Sequence, residues 1–281
     1  MIIDFRLRPP YGGFVNLDVP YGRAGQWLPA RLGVPFPPGA AQRSMELTLR
    51  EMDEAGVTVG VVTGRAVAPG VSNDEIAELC RLYPGRFVGI ASVDLSKRAE
   101  AVREFRRAVE ELGLRGLILE PGMGMGPQPV DVDHGSLYGL YEEAQRLGVP
   151  VLFTLSLFVG PDIGYCLRNL VALDRLAGDF RRVSFVVAHA GWPYVEAALG
   201  LALKRPNVYL SPDLYGFDMP YADALFEAAC GYLQDQYLFA SAYPLYPLKP
   251  AVEKTAAGLR SDAVREKALH ANAARLLRLE G

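Results

Sequence analysis

The segment Asp4-Phe5-Arg6-Leu7-Arg8 alternates charged and apolar residues. Side chains of an extended strand point to opposite faces in turn, so Asp4, Arg6 and Arg8 fall on one face and Ile3, Phe5 and Leu7 on the other. With the apolar set packed against helices, two guanidiniums share the inner face. Such a pair is an anion receptor, because each planar fork can hold a carboxylate through two parallel N–H donors. A buried ion pair of Arg6 with Asp4 or Glu120 is the competing reading.

His189 is the candidate for proton transfer. It closes the apolar run 183–188 and is followed by Ala190-Gly191-Trp192-Pro193, an aromatic beside a tight turn. An imidazole there can act as general acid or base. Glu120 and Asp213 end apolar runs of their own and are the carboxylates expected within its reach, since a partly buried site can lift a carboxyl pKa or orient an imidazole. Their alternative role is charge balance against Arg6, Arg8 and Arg65. Other run ends add Asp94, Ser156 and Ser241, and Arg65, Thr154, Trp192, Tyr215 and Tyr243 join Arg6 and Arg8 as expected substrate-binding residues.

Several chemistries are disfavoured. The chain has only three histidines, His134, His189 and His270, whereas a hydrolase metal site usually draws on two to four imidazoles. His134 lies in a polar stretch that suits a surface or helix-capping role, and His270 lies in a helical segment where packing is expected. No metal and no cofactor are expected. Gly122-Met123-Gly124-Met125-Gly126 lacks the lysine and the opening helix of a phosphate loop and reads as a flexible loop. Cys80, Cys166 and Cys230 are widely spaced, without a CxxC pair, and read as reduced, packed thiols. With 29 Lys+Arg against 32 Asp+Glu, nothing favours nucleic acid or an anionic membrane. No apolar run is long enough for a membrane span and no export signal is evident, so a cytoplasmic protein is expected.

Positioning these residues requires a scaffold that collects strand ends. Short apolar runs without polar alternation occur at 2–5, 57–62, 87–93, 116–119, 149–153, 183–188, 208–210 and 237–239, as buried parallel strands require. Helical periodicity lies between them at 45–55, 73–82, 99–112, 137–147 and 194–203. Gly56 and Gly148 stand just before a strand, where a helix would end in a left-handed cap. Eight strand and helix units fit a single-domain (β/α)8 TIM barrel over 1–281, with a doubly wound sheet as the alternative. Residues 9–40 interrupt the pattern. Their 9–39 stretch holds 7 Pro and 6 Gly, which argues against a regular helix, and a long loop at that end of a barrel suits a lid or pocket wall.

The opening Met1-Ile2-Ile3-Asp4-Phe5, the run Val186-Val187-Ala188-His189-Ala190-Gly191-Trp192-Pro193, Pro206-Asn207-Val208-Tyr209-Leu210, Leu238-Phe239-Ala240-Ser241-Ala242-Tyr243-Pro244 and Ala271-Asn272-Ala273-Ala274-Arg275-Leu276-Leu277 together resemble the amidohydrolase-related family. That family includes aminocarboxymuconate semialdehyde decarboxylase and 2-pyrone-4,6-dicarboxylate lactonase. The resemblance implies a (β/α)8 barrel, chemistry on carboxylated metabolites and frequent dimers, which raises a homodimer as one partner reading. It also implies a metal site built from His-x-His on strand one, a His on strand five, a His on strand six and an Asp on strand eight. Here those places hold Arg6 and Arg8, Thr154, His189 and Ala242, and a guanidinium has no lone pair to offer a metal. The leading expectation is therefore a metal-independent, lactonase-type hydrolase of a small anionic substrate. A metal-independent decarboxylase, other lyase or isomerase is the alternative. A catalytically silent, metabolite-binding barrel is the third.

Overall fold

Among the described residues, seven parallel strands form one sheet in chain order: β1 (Ile2–Asp4), β2 (Val57–Thr63), β3 (Phe87–Ser92), β4 (Leu117–Leu119), β5 (Val151–Thr154), β6 (Phe185–Ala188) and β7 (Val208–Ser211). The structure, a computed structural model, describes residues 1–123 and 129–279. Gly124, Met125 and Gly126 of the glycine-rich run lie outside the described residues.

The expected eighth strand is an extended segment that closes the barrel with fewer ladder bonds. Leu210 N donates to Gln236 O and Leu238 N to Leu210 O, both at 2.9 Å, on one side. On the other, Phe5 N donates to Phe239 O at 2.8 Å and Arg8 N to Tyr243 O at 3.0 Å. Proteins of this construction are TIM barrels, and the chain is one.

The interior is filled by residues from successive strands. Ile3 and Phe5 share one buried cluster with Val61, Ile90, Ile118, Leu152, Val186, Leu238 and Ala240, which also takes in Ala273 and Leu277 of the last helix. The opposite strand faces carry Val62, Leu117, Phe153, Val187 and Leu210, which pack on the helices. Leu7 belongs to this outer layer. Strict alternation along the first strand is therefore corrected: Ile3 and Phe5 face inward with the barrel core, Leu7 faces outward, and Arg6 and Arg8 still reach the barrel mouth. The cause is local. Asp4 Oδ1 accepts a hydrogen bond from Arg6 N at 3.0 Å, an Asx-type turn that competes with the ladder and ends the strand at Asp4.

The helices agree with the periodic segments, running over Met45–Glu54, Asn73–Leu82, Arg98–Glu110, Tyr138–Leu147 and Val195–Lys204. Gly148 caps one of them at φ 66°, where any Cβ would be strained. The Pro/Gly-rich insertion differs from expectation, because Arg23–Leu32 is a ten-residue helix with Pro29 inside it. Pro29 stands near its C-terminal end, and Gly33 in the left-handed conformation stops it. The insertion is fastened at several points. Gly13 N donates to Glu75 Oε1 at 2.9 Å, Tyr21 Oη to the carbonyl of Arg8 at 2.7 Å and Gly39 N to Glu51 Oε1 at 2.8 Å. Among the described residues no helix is long and apolar enough to cross a membrane.

Candidate active site

At the C-terminal ends of the strands a cavity of about 670 Å³ opens, lined by Arg6, Arg8, Thr63, Gly64, Arg65, Glu120, Thr154, Ser156, His189 and Tyr215. Phe14, Leu17, Val19, Trp27 and Leu28 of the insertion, with Phe158, Val159, Leu214 and Leu245, form an apolar roof and walls.

The polar floor is a braced network. Arg6 Nη2 donates to Thr154 Oγ1 at 3.2 Å, and Thr154 Oγ1 donates to Glu120 Oε1 at 2.9 Å. Arg6 also lies 3.9 Å from Glu120 Oε1 and, through Nε, 3.5 Å from Asp213 Oδ2. Asp213 is fully buried, and its Oδ1 accepts from Ser211 Oγ at 2.7 Å. Its Oδ2 stands 2.7 Å from His189 Nδ1, out of good hydrogen-bond alignment. Burial alone would raise the Asp213 pKa, but His189 and Arg6 outweigh it and hold the carboxyl below its ordinary range. Burial pushes the His189 imidazole down, and Arg6 and Arg8 add to this against the pull of Asp213. A neutral ring whose Nδ1 faces a carboxylate keeps Nε2 for exchange with a ligand.

Arg8 is in a different position. Its Nη1 is closed off from solvent without a hydrogen-bond partner, and among the described residues no carboxylate forms an ion pair with it. Burial, then the charge of Arg6, lowers its pKa to about 9, so it stays cationic at neutral pH. The site thus holds a guanidinium without an ion-pair partner among the described residues, with Glu120 and Asp213 acting on it only at longer range.

Behind this floor, Asp4 fixes the seam of the barrel. Its carboxylate accepts from Ser241 N at 3.0 Å, from Ser241 Oγ and from Arg6 N. Burial is the largest influence on it and raises its pKa to about 7. His189, Asp213 and Ala242 all adopt positive φ, at 69°, 56° and 58°. Left-handed backbone costs a non-glycine residue roughly 1–2 kcal/mol, and its presence at three strand ends of one site marks positions held by their surroundings.

Not every expected residue reaches the cavity. Tyr243 is turned away from it, its hydroxyl donating to Glu51 Oε2 at 2.7 Å and lying 3.2 Å from Thr48 Oγ1, so substrate contact through Tyr243 is corrected to a structural role. Trp192 stacks on Tyr215 with ring centroids 5.2 Å apart and donates from Nε1 to Pro220 O. It supports Tyr215, which in turn meets His189 edge-on at 5.2 Å. Asp94 bonds Ser96 instead of facing the mouth. His134 caps a short turn by accepting from Ser136 N, and His270 pairs with Glu266 at 2.7 Å. Arg23, Trp27 and Phe158 line the cavity without having been singled out. Arg23 and Trp27 do share the one-turn spacing of a helix face, a signal masked by the surrounding prolines and glycines.

Residues 3–279 match the Amidohydrolase family. The chain belongs to that family. An uncharacterised TIM-barrel protein from Bordetella bronchiseptica is 37% identical, with TM-score 0.91 over 99% of this chain and 98% of that one. The 2,6-dihydroxybenzoate decarboxylase from Rhizobium shares the fold, with TM-score 0.75 and 19% identity over 100% and 99% of the two chains. A 2-amino-3-carboxymuconate-6-semialdehyde decarboxylase of Dictyostelium discoideum is 32% identical over 90 residues, 32% of this chain and 24% of that protein. The match thus spans about a quarter of that curated relative. The two of these with a named activity are decarboxylases.

At positions where the resemblance would place metal ligands, the side chains present are engaged otherwise or carry no donor. Arg6 fills the floor where an imidazole would stand, Thr154 binds Arg6 and Glu120 with its only polar group, and Ala242 has no donor. Among the described residues no group of three or more His, Cys, Asp or Glu side chains could hold a metal ion.

Proposed function

We propose that this protein is a decarboxylase-type lyase of a small carboxylated, flat-bodied substrate, working through side chains in place of a metal. The observation that carries the proposal is Arg8, a guanidinium without an ion-pair partner among the described residues, lining a cavity shared with the His189–Asp213 pair.

Loss of CO2 breaks a C–C bond and leaves its electron pair on the substrate, where a proton must replace the carboxylate. A guanidinium gripping the departing carboxylate would stabilise the ground state, since that group loses its charge as it leaves. Arg8 lowers the barrier if it faces the atom on which the charge accumulates, in an enclosed site where such a contact is strong. The apolar walls give the departing group surroundings of low dielectric. His189 takes up one solvent proton at Nε2 and delivers it to the carbon that CO2 leaves, returning to its neutral form, while Asp213 keeps the ring oriented and stabilises its transient cationic form.

Purified protein incubated with hydroxylated aromatic acids, 2,6-dihydroxybenzoate first, should release CO2 and leave one deuterium on the product carbon in D2O. Incorporation of 18O from labelled water without CO2 release would establish hydrolysis instead. Activity should survive chelation with stoichiometric metal absent by elemental analysis; activity that tracks bound zinc or manganese overturns the metal-independent part.

A further inference from the structure

Arg23 stands in the helix Arg23–Leu32, far in sequence from every strand end, yet it lines the same cavity as Arg6, Arg8 and Arg65. Arg6 has two carboxylates near it. Among the described residues Arg8, Arg23 and Arg65 have none within ion-pair distance. Four guanidiniums therefore meet two carboxylates, Glu120 and the underlying Asp213, and with a neutral imidazole the pocket keeps two positive charges in excess. Arg8 and Arg65 are half-buried and Arg23 is exposed, and concave apolar walls focus the field of the group on whatever ligand enters. A singly charged acid would leave half of the excess unmatched.

Arg23 and Trp27 are one helical turn apart and project from the same helix side. Trp27 also meets Phe158 edge-on at 6.4 Å, so an aromatic edge pair borders the place where Arg23 reaches the cavity. We propose that Arg23 is a specificity-determining residue and that the pocket takes a doubly anionic, flat-bodied acid, one acidic group lying over Arg8 and Arg65 and a second, retained one on Arg23. Which group departs rests on the lyase reading above; the pairing of two acidic groups with two sets of guanidiniums does not.

Isothermal titration of the intact protein at low ionic strength with benzoate, isophthalate and terephthalate tests this. A hydrogen-bonded charged contact is worth enough for at least one dicarboxylate to bind about tenfold or more tighter than benzoate, and high salt should shrink that advantage. In Arg23→Gln the ratio should fall below about twofold, and Arg23→Lys should keep part of it, with thermal melting confirming that both variants fold. The inference fails if both dicarboxylates bind within about twofold of benzoate, if none of the three binds, or if the advantage survives Arg23→Gln. A dicarboxylate preference without CO2 release from any acid would sink the lyase reading alone. CO2 release from monoacids with no such preference would sink this inference alone.

Discussion

The floor of the cavity and its roof differ in polarity and in exposure. Asp213 on the floor is 0% exposed and tied to Ser211, Arg6 and His189, whereas Trp27 in the roof is 49% exposed. A floor that moves protons has to fix atoms in a low dielectric, and strands that end together provide this. A roof that admits and grips a ligand has to offer apolar area at low rigidity, and an inserted helix fastened at both ends provides that. The floor itself contains a second contrast: Arg6 and Arg8 are two residues apart, one bound by carboxylates and the other left without one.

The largest effect should come from the floor. His189→Asn should lower turnover about 10²–10⁴-fold, measured as CO2 release, and a change below about threefold would remove His189 from proton transfer. The arginine contrast should appear in stability: Arg6→Met removes the buried cation facing Glu120 and Asp213 and should cost about 3–5 kcal/mol in denaturant unfolding, while Arg8→Met should leave the melting temperature unchanged or higher.

Asp4 offers a test by pH. Its folded pKa, raised to about 7 chiefly by burial, means that the folded chain holds this proton more tightly than the unfolded chain. The resulting stabilisation is complete below the ordinary carboxyl pKa and is lost as pH rises towards and through about 7. Wild type should therefore lose stability relative to Asp4→Asn between pH 5 and pH 8; a constant difference would show that Asp4 is charged throughout. Tyr243→Phe should cost about 1–3 kcal/mol through its lost bonds to Glu51 and Thr48 and leave kcat/KM unchanged. The smallest effect belongs to the roof, where Trp27→Ala should raise KM roughly fivefold, about 1 kcal/mol of aromatic contact, with kcat nearly constant.

The floor was largely legible in the sequence, because parallel strands bury both faces and so write themselves as short apolar runs whose ends carry Arg6, Glu120, Thr154, His189 and Asp213. What failed there depended on side-chain bonds that no periodicity records: Asp4 turning the chain at Phe5, and Tyr243 preferring Glu51. The roof was hidden for a different reason. Propensity argued against a helix over a stretch so rich in proline and glycine, and tertiary fastening of Tyr21 to Arg8 and of Gly39 to Glu51 overrode it. Arg23 and Trp27 consequently had no frame in which their spacing could be read.

The closure of the barrel also has a kinetic consequence. Between β7 and β1 the chain crosses with a sparse set of backbone bonds reinforced by the single carboxylate of Asp4, whereas β5 and β6 are paired along their full length. Local opening begins where cooperative units are least connected, so the amides of Phe5, Leu238 and Arg8 should exchange with deuterated solvent before those of β5 and β6. A ligand spanning Arg8 and the insertion would slow that exchange, making the seam a reporter of occupancy.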